Sequence, residues 1–284
     1  MKRSYAPFMC LAACAAGIGS ANASDFDLND LQLKRVYIEA SGGKVRTKDN
    51  YVVGDYGWAA GGRVGMDATL PEQFEGGLSF LTVHSAGNGS FGTEQTDEQR
   101  NSYGPSGYLQ RHVWGPFSLG VTGSYLWMKG RNLSNQGAQP GINKFDEFSH
   151  QTSWSIYAPV LLPLTSRWIL QAAPAFSRTD GSAHFTANDP VVQSSSLSVF
   201  NLVTIASYQS PWNVHLDFGA VAHRALSQGQ PGTTPTHSLM WMTPLVGASY
   251  EFAPRWTVYG RASMEAFDRA YDSWTVTSGI ARSF

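Results

Sequence analysis

Five prolines recur along the chain, at Pro71, Pro116, Pro163, Pro211 and Pro254, with spacings of 45, 47, 48 and 43 residues. At each of them the alternation of apolar and polar residues pauses for only a few positions. Proline fixes φ and cannot donate to a ladder, so it punctuates tight turns rather than strand centres. Four of the five turns carry a tryptophan: Trp114, Trp168, Trp212 and Trp256. Between successive turns lies one looser stretch rich in Gly, Asn, Ser, Asp and Gln. One tight and one loose reversal per period predicts a succession of antiparallel hairpins, two strands to each.

The alternation gives every strand two unlike faces, because successive side chains project to opposite sides. After Pro116, Phe117, Leu119, Val121, Tyr125 and Trp127 fall on one face, with Ser118, Gly120, Thr122 and Ser124 on the other. Trp58, Ala60, Val64 and Met66 likewise oppose Arg63 and Asp67. Twelve such runs are predicted, at 33–47, 57–69, 74–86, 101–113, 117–130, 148–162, 168–179, 195–209, 212–226, 237–252, 256–267 and 274–284. Long loops are expected at 48–56, 87–100, 131–147, 180–194, 227–236 and 268–273. Pro105, Pro159, Pro174 and Pro244 fall inside the runs, where each removes a ladder hydrogen bond and is expected at a bulge.

The N-terminus reads as a secretory leader over 1–23: Lys2 and Arg3, a short apolar stretch, then Ala21-Asn22-Ala23 as the cleavage site. That apolar stretch is shorter than the roughly 20 residues a membrane helix needs. An alternative takes Leu11-Ala12-Ala13-Cys14 as a lipobox, with Cys14 lipidated. Both cysteines, Cys10 and Cys14, lie in this leader, so no disulfide, thiol nucleophile or cysteine metal site is expected after cleavage. A formal net charge of −1 offers no electrostatic footprint for nucleic acid. Only 14% of residues are charged while 13% are aromatic, which fits a chain that wets only part of its surface. After the leader no apolar run is long enough for a membrane helix, so a membrane role requires strands.

Strands facing lipid cannot leave backbone groups unpaired, since each costs several kcal/mol in hydrocarbon. Twelve strands with one apolar face must therefore close. The expected fold is all-β: a twelve-stranded antiparallel up-and-down transmembrane β-barrel with short turns on one rim and long loops on the other. The tryptophans beside the tight turns would form an aromatic girdle at the inner interface. A β-propeller also repeats about every 40–45 residues, but each blade needs four short strands where this chain offers two long ones.

The chain ends Thr277-Ser278-Gly279-Ile280-Ala281-Arg282-Ser283-Phe284. Gly279 and the terminal Phe284 resemble the signal read by the barrel-assembly machinery, although Arg282 stands where that signal usually has an aromatic or apolar residue. Tyr56-Gly57-Trp58, Gly61-Gly62-Arg63-Val64-Gly65-Met66-Asp67, Leu70-Pro71 and Glu75-Gly76-Gly77-Leu78-Ser79-Phe80 resemble the autotransporter β-domain family. Trp114-Gly115-Pro116-Phe117-Ser118-Leu119 is similar to that family's next tight turn. The resemblance covers 33–284 and implies a twelve-stranded barrel in the outer membrane, in contact with its lipid. With only a short periplasmic segment, 24–32, ahead of the first strand, the expectation is a barrel without a passenger domain.

Polar residues opposite the apolar faces would line the lumen. The candidates are Glu39, Arg63, Asp67, His215, Asp217, His223, Arg261 and Glu265. They are expected to form a network of paired charges lining a narrow pore, with Arg63 and Arg261 biasing it toward anions. Alternatively the loops at 87–100, 131–147 and 180–194 would make an adhesin-like surface. A rim hydrolase acting on lipid or peptide would need a histidine among His84, His150 and His237 with a serine or acidic partner. Ser85 is adjacent to His84 but faces the other way along a strand. The expectation is no enzymatic activity, no cofactor and no metal: the sequence has no P-loop, dinucleotide fingerprint or metal-ligand cluster.

Overall fold

The computed structural model describes residues 32–47, 53–70, 73–91, 94–136, 142–186, 191–229, 239–268 and 271–284. The leader at 1–23, almost all of the segment 24–32, Pro71 and His237 lie outside the described residues. The strand segments are β1 (Gln32–Thr47), β2 (Val53–Leu70), β3 (Phe74–Phe91), β4 (Glu94–Trp114), β5 (Phe117–Gln136), β6 (Ile142–Tyr157), β7 (Val160–Pro163), β8 (Trp168–Thr186), β9 (Val191–Gln209), β10 (Val214–Gly229), β11 (Met240–Ala253), β12 (Trp256–Glu265) and β13 (Tyr271–Ser283). Segments β6 and β7 are one strand of the barrel, since both pair with β5 on one side and β8 on the other. Every strand pairs antiparallel with its sequence neighbour, and β1 pairs with β13 from Arg35↔Ser283 to Thr47↔Tyr271. The sheet thus closes on itself as a twelve-stranded antiparallel barrel with no free edge.

All twelve expected runs are strands. The loops differ. Strand pairing continues through Phe91↔Glu94, Asn135↔Ile142 and Phe185↔Val191, far into the stretches expected as long loops. Gly, Asn, Ser and Gln lower strand propensity, but a continued two-stranded ladder satisfies their backbone groups as well as water does. The polar stretches are therefore hairpin arms rising beyond the apolar band.

Pro159 interrupts the sixth barrel strand and is fully buried. Around it the ladder is rebuilt: Ser118 N–H donates to the Pro159 carbonyl at 3.0 Å, and Ala158 N–H donates to the Pro174 carbonyl at 3.0 Å. The missing donors are bypassed by a local bulge rather than by an opening in the wall. Pro105, Pro174 and Pro244 stay within continuous strands, opposite Phe80, Leu202 and Ala220.

The tight turns need special backbone. Trp114 pairs with Phe117 across Gly115-Pro116, where Gly115 has φ of 52°; Ala253 pairs with Trp256 across Pro254-Arg255, where Arg255 has φ of 70°. These are the φ patterns of type II′ and type II turns. After Pro163, the Thr165 hydroxyl accepts from the Arg167 and Trp168 amides at 3.2 and 3.1 Å.

The barrel is polar inside and apolar outside. Ile38 and Leu78 each keep 62% of their surface exposed on the outer face, a placement that hydrocarbon favours and water penalises. Val64, Phe80, Leu119, Val121, Ile156 and Val246 share that face. Trp114, Trp168, Trp212 and Trp256 all stand at the tight-turn rim. A second outward aromatic set, Trp58, Tyr103, Trp127, Trp154 and Trp274, lies toward the far end. Trp127 is ten residues beyond Phe117 on β5. At roughly 3.3 Å per residue and a tilt of roughly 40°, that is about 25 Å of height, the thickness of the apolar band of an outer-membrane barrel.

Candidate functional site: the polar lumen

The inner face is defined by register. Glu39 is opposite Arg63 and Gly279, Asp67 opposite Arg35 and Gly77, and Arg261 opposite Gly247 and Thr277. Their neighbours Ile38, Val64, Met66, Val246 and Ile280 take the outer face. The same alternation puts His215, Asp217 and His223 inward on β10 and Glu265 inward on β12. All eight residues singled out in the sequence therefore share the lumenal face, but they fall into separate groups.

One group is charged and lies on β1, β2, β3 and β12. Arg35 donates to Asp67 Oδ2 from Nε at 2.8 Å and from Nη2 at 2.6 Å. Arg63 pairs with Glu39 at 3.5 Å, and the Tyr259 hydroxyl donates to Glu39 Oε1 at 3.0 Å. A bulge at Leu33/Arg35 lets Lys34 reach Glu75 on β3, where the two form an ion pair. Bulges of this kind redirect a side chain that strict alternation would point outward. Lys34, Arg35 and Glu75 were not picked out by sequence reasoning; the bulge that turns Lys34 inward has no local signature, and Arg35 lay at the very start of its run.

Four tyrosine rings on this inner face lie flat over glycines of the neighbouring strand: Tyr37 over Gly65, Tyr108 over Gly77, Tyr157 over Gly120, and Tyr259 over Gly279. Each glycine is a position where a ring approaches too closely for any Cβ. Gly279, which the terminal motif singles out, thus also has a packing role.

A second group lies on β9 to β13. His223 Nδ1 is 2.7 Å from Asn201 Oδ1, and its Nε2 is 3.0 Å from the Thr243 hydroxyl. An Nδ1–H donor to Asn201 leaves Nε2 to accept from Thr243. Trp241 stacks on the His223 ring at 4.8 Å and is packed with Val199 and Ala225. Ser207 donates to Asp217 at 2.6 Å, and Ser273 donates to the buried Glu265 at 2.9 Å. Arg261 makes no hydrogen bond or ion pair among the described residues.

The rim histidines do not join these groups. His84 faces outward, 2.8 Å from Asn101 Oδ1 and 5.4 Å from the Trp58 ring, while Ser85 points inward toward the Arg100 carbonyl. His150 also faces outward, stacked on Tyr125 at 5.8 Å and 3.1 Å from the Ser182 hydroxyl. Among the described residues no group of three or more His, Cys, Asp or Glu could hold a metal ion.

Closure, an apolar exterior of membrane height and a charged interior define a transmembrane β-barrel. No protein-family model matches the chain, and no curated protein matches it in sequence. Solved structures do match its fold. The translocator domain of the autotransporter NalP from Neisseria meningitidis superposes with a TM-score of 0.73 at 15% identity, covering 90% of each chain. The transport unit of the autotransporter AIDA-I from Escherichia coli gives 0.62 at 11% identity, covering 91% of this chain and 93% of that one. The COG4313 outer membrane channel from Pseudomonas putida F1 gives 0.58 at 10% identity, covering 93% and 100%. The chain has the twelve-stranded barrel fold seen in autotransporter translocator domains.

Proposed function

We propose that this chain is an integral outer-membrane barrel of the Gram-negative type, exported by its leader and folded by barrel-assembly machinery, whose lumen is a narrow pathway for small solutes or ions. The observation that supports this is the placement of charge. Arg35, Glu39, Arg63, Asp67, Asp217, Arg261 and Glu265 all take the inner face, where a water-filled path would solvate them. Glu39 neutralises Arg63, so Arg261 carries most of any anion preference. Reconstitution of the full chain in planar bilayers is expected to give stepwise conductance, with the R63E/R261E variant shifted toward cations. Absence of conductance overturns the pathway, and unchanged ion selectivity in that variant overturns the role of the arginines. Membrane fractionation with heat-modifiable gel mobility tests the placement itself: a soluble protein with no heat shift refutes it.

One arrangement favours a second reading. Thr243, His223 and Asn201 have the connectivity of a hydroxyl, a base and an orienting amide. Covalent labelling of Thr243 by a fluorophosphonate, lost in T243V, would establish acyl-transfer chemistry; an unlabelled wild-type protein ends that reading.

A further inference from the structure

The lumenal wall is divided by chemistry. Its charged pairs lie on β1, β2 and β3, with Arg100 on β4, Asp217 on β10, and Arg261 and Glu265 on β12. On β5, β6, β8 and β9 the inward positions within 118–130, 149–157, 169–181 and 195–207 hold no charged side chain. Beside aliphatic side chains such as Leu126, Val199, Val203 and Ile205, they hold hydroxyls and amides. These are joined across successive seams: Thr122 to Ser155 at 2.6 Å, Ser153 to Thr179 at 3.0 Å, Asn201 to Ser177 at 2.9 Å and His223 to Asn201 at 2.7 Å. Ser155 and Ser177 are themselves register partners across the seam between β6 and β8. A neutral polar row thus runs round half the barrel, from β5 to β10.

We infer that this half of the lumen is a subsite for an uncharged polyhydroxylated solute of the sugar or polyol class. The inference rests on the pathway reading above and names its cargo. A hydroxyl both donates and accepts, as do the hydroxyls of a sugar, so each can exchange a wall bond for a solute bond in either sense. A charged solute gains little there, because β5, β6, β8 and β9 offer it no inward counter-charge and its hydration would be lost.

The test uses the full chain in planar bilayers with maltotriose as the neutral probe and gluconate as the charged control. Maltotriose is expected to occlude the current in a saturable way, and gluconate is not. Ser155→Val and Ser177→Val should each raise the half-blocking concentration by about two- to tenfold, the range for one hydrogen bond. Their heat-modifiable mobility should match the parent, which separates a lost contact from a misfolded barrel. If a valine variant does not fold, liposome swelling by the parent chain still decides, with maltotriose entry expected to saturate. Conductance without saturable maltotriose block overturns this inference alone, as does equal block by gluconate. Absence of any conductance overturns the pathway reading and this inference together.

Discussion

Gly279→Ala tests whether the glycine near the C-terminus is held by the ring above it. A Cβ at Gly279 would lie 2.5 Å from Tyr259 Cζ, 2.6 Å from its hydroxyl and 2.8 Å from the Ile38 carbonyl oxygen. Carbon atoms in contact prefer about 3.5–4.0 Å, so the ring must lift by about 1 Å. That carries the Tyr259 hydroxyl out of hydrogen-bond range of Glu39, from its present 3.0 Å. Over-packing costs about 1–3 kcal/mol, and a hydrogen bond to a charged group is worth about 1.5–3 kcal/mol. The ring can swing toward the lumen axis and relieve part of the clash, so the expected net loss is about 2–4 kcal/mol. Denaturant unfolding of purified, refolded barrel in detergent micelles, followed by tryptophan fluorescence, reads this loss. Starting from refolded protein keeps any defect in the terminal assembly signal out of the measurement. In a Tyr259→Ser background the same Gly279→Ala change should cost less by about 1 kcal/mol or more, with only the Ile38 carbonyl left to crowd it. Equal costs in the two backgrounds would refute the argument, because the ring would then not be what the alanine meets.

Two further outcomes follow from the turn and the faces. Arg255 holds φ of 70° in the turn after Pro254, so Arg255→Gly should stabilise the refolded barrel by about 0.5–1 kcal/mol, read as a rise in denaturant midpoint; no rise means the turn is unstrained. Val64→Lys on the lipid face should cost about 2–4 kcal/mol, whereas Thr122→Lys on the lumenal face should cost clearly less; equal costs would mean the faces are assigned wrongly.

Strand number and the two faces were legible in the sequence because both rest on period-two alternation, which tertiary contacts can only reinforce. From Phe117 to Trp127 every second residue already separates the faces, and the structure keeps that separation. The hairpin arms were misread as loops for the converse reason: Asn88, Gly89 and Ser90 carry no apolar face, so nothing local distinguishes an extended ladder above the membrane from an irregular loop. The far aromatic set was visible in the same alternation, since Trp58, Trp127 and Trp154 fall on the apolar faces of their runs.

Which polar residues meet was not legible, because that depends on register across seams and on bulges. Glu39 and Tyr259 are far apart in sequence, yet they meet because β1 and β12 are both neighbours of β13, leaving the long tyrosine side chain to bridge over Gly279. The glycine is what makes the bridge possible: with any side chain there, the ring could not lie flat across the intervening strand. The small residues that look like weak strand formers in the sequence therefore do as much as the charges to decide which lumenal groups are partners. On β1, β12 and β13 the glycine lets Tyr259 reach the Glu39–Arg63 pair, whereas on β5, β6 and β8 neighbouring strands join through short hydroxyl bonds, Thr122 to Ser155 and Ser153 to Thr179, beside the uncharged Tyr157 over Gly120.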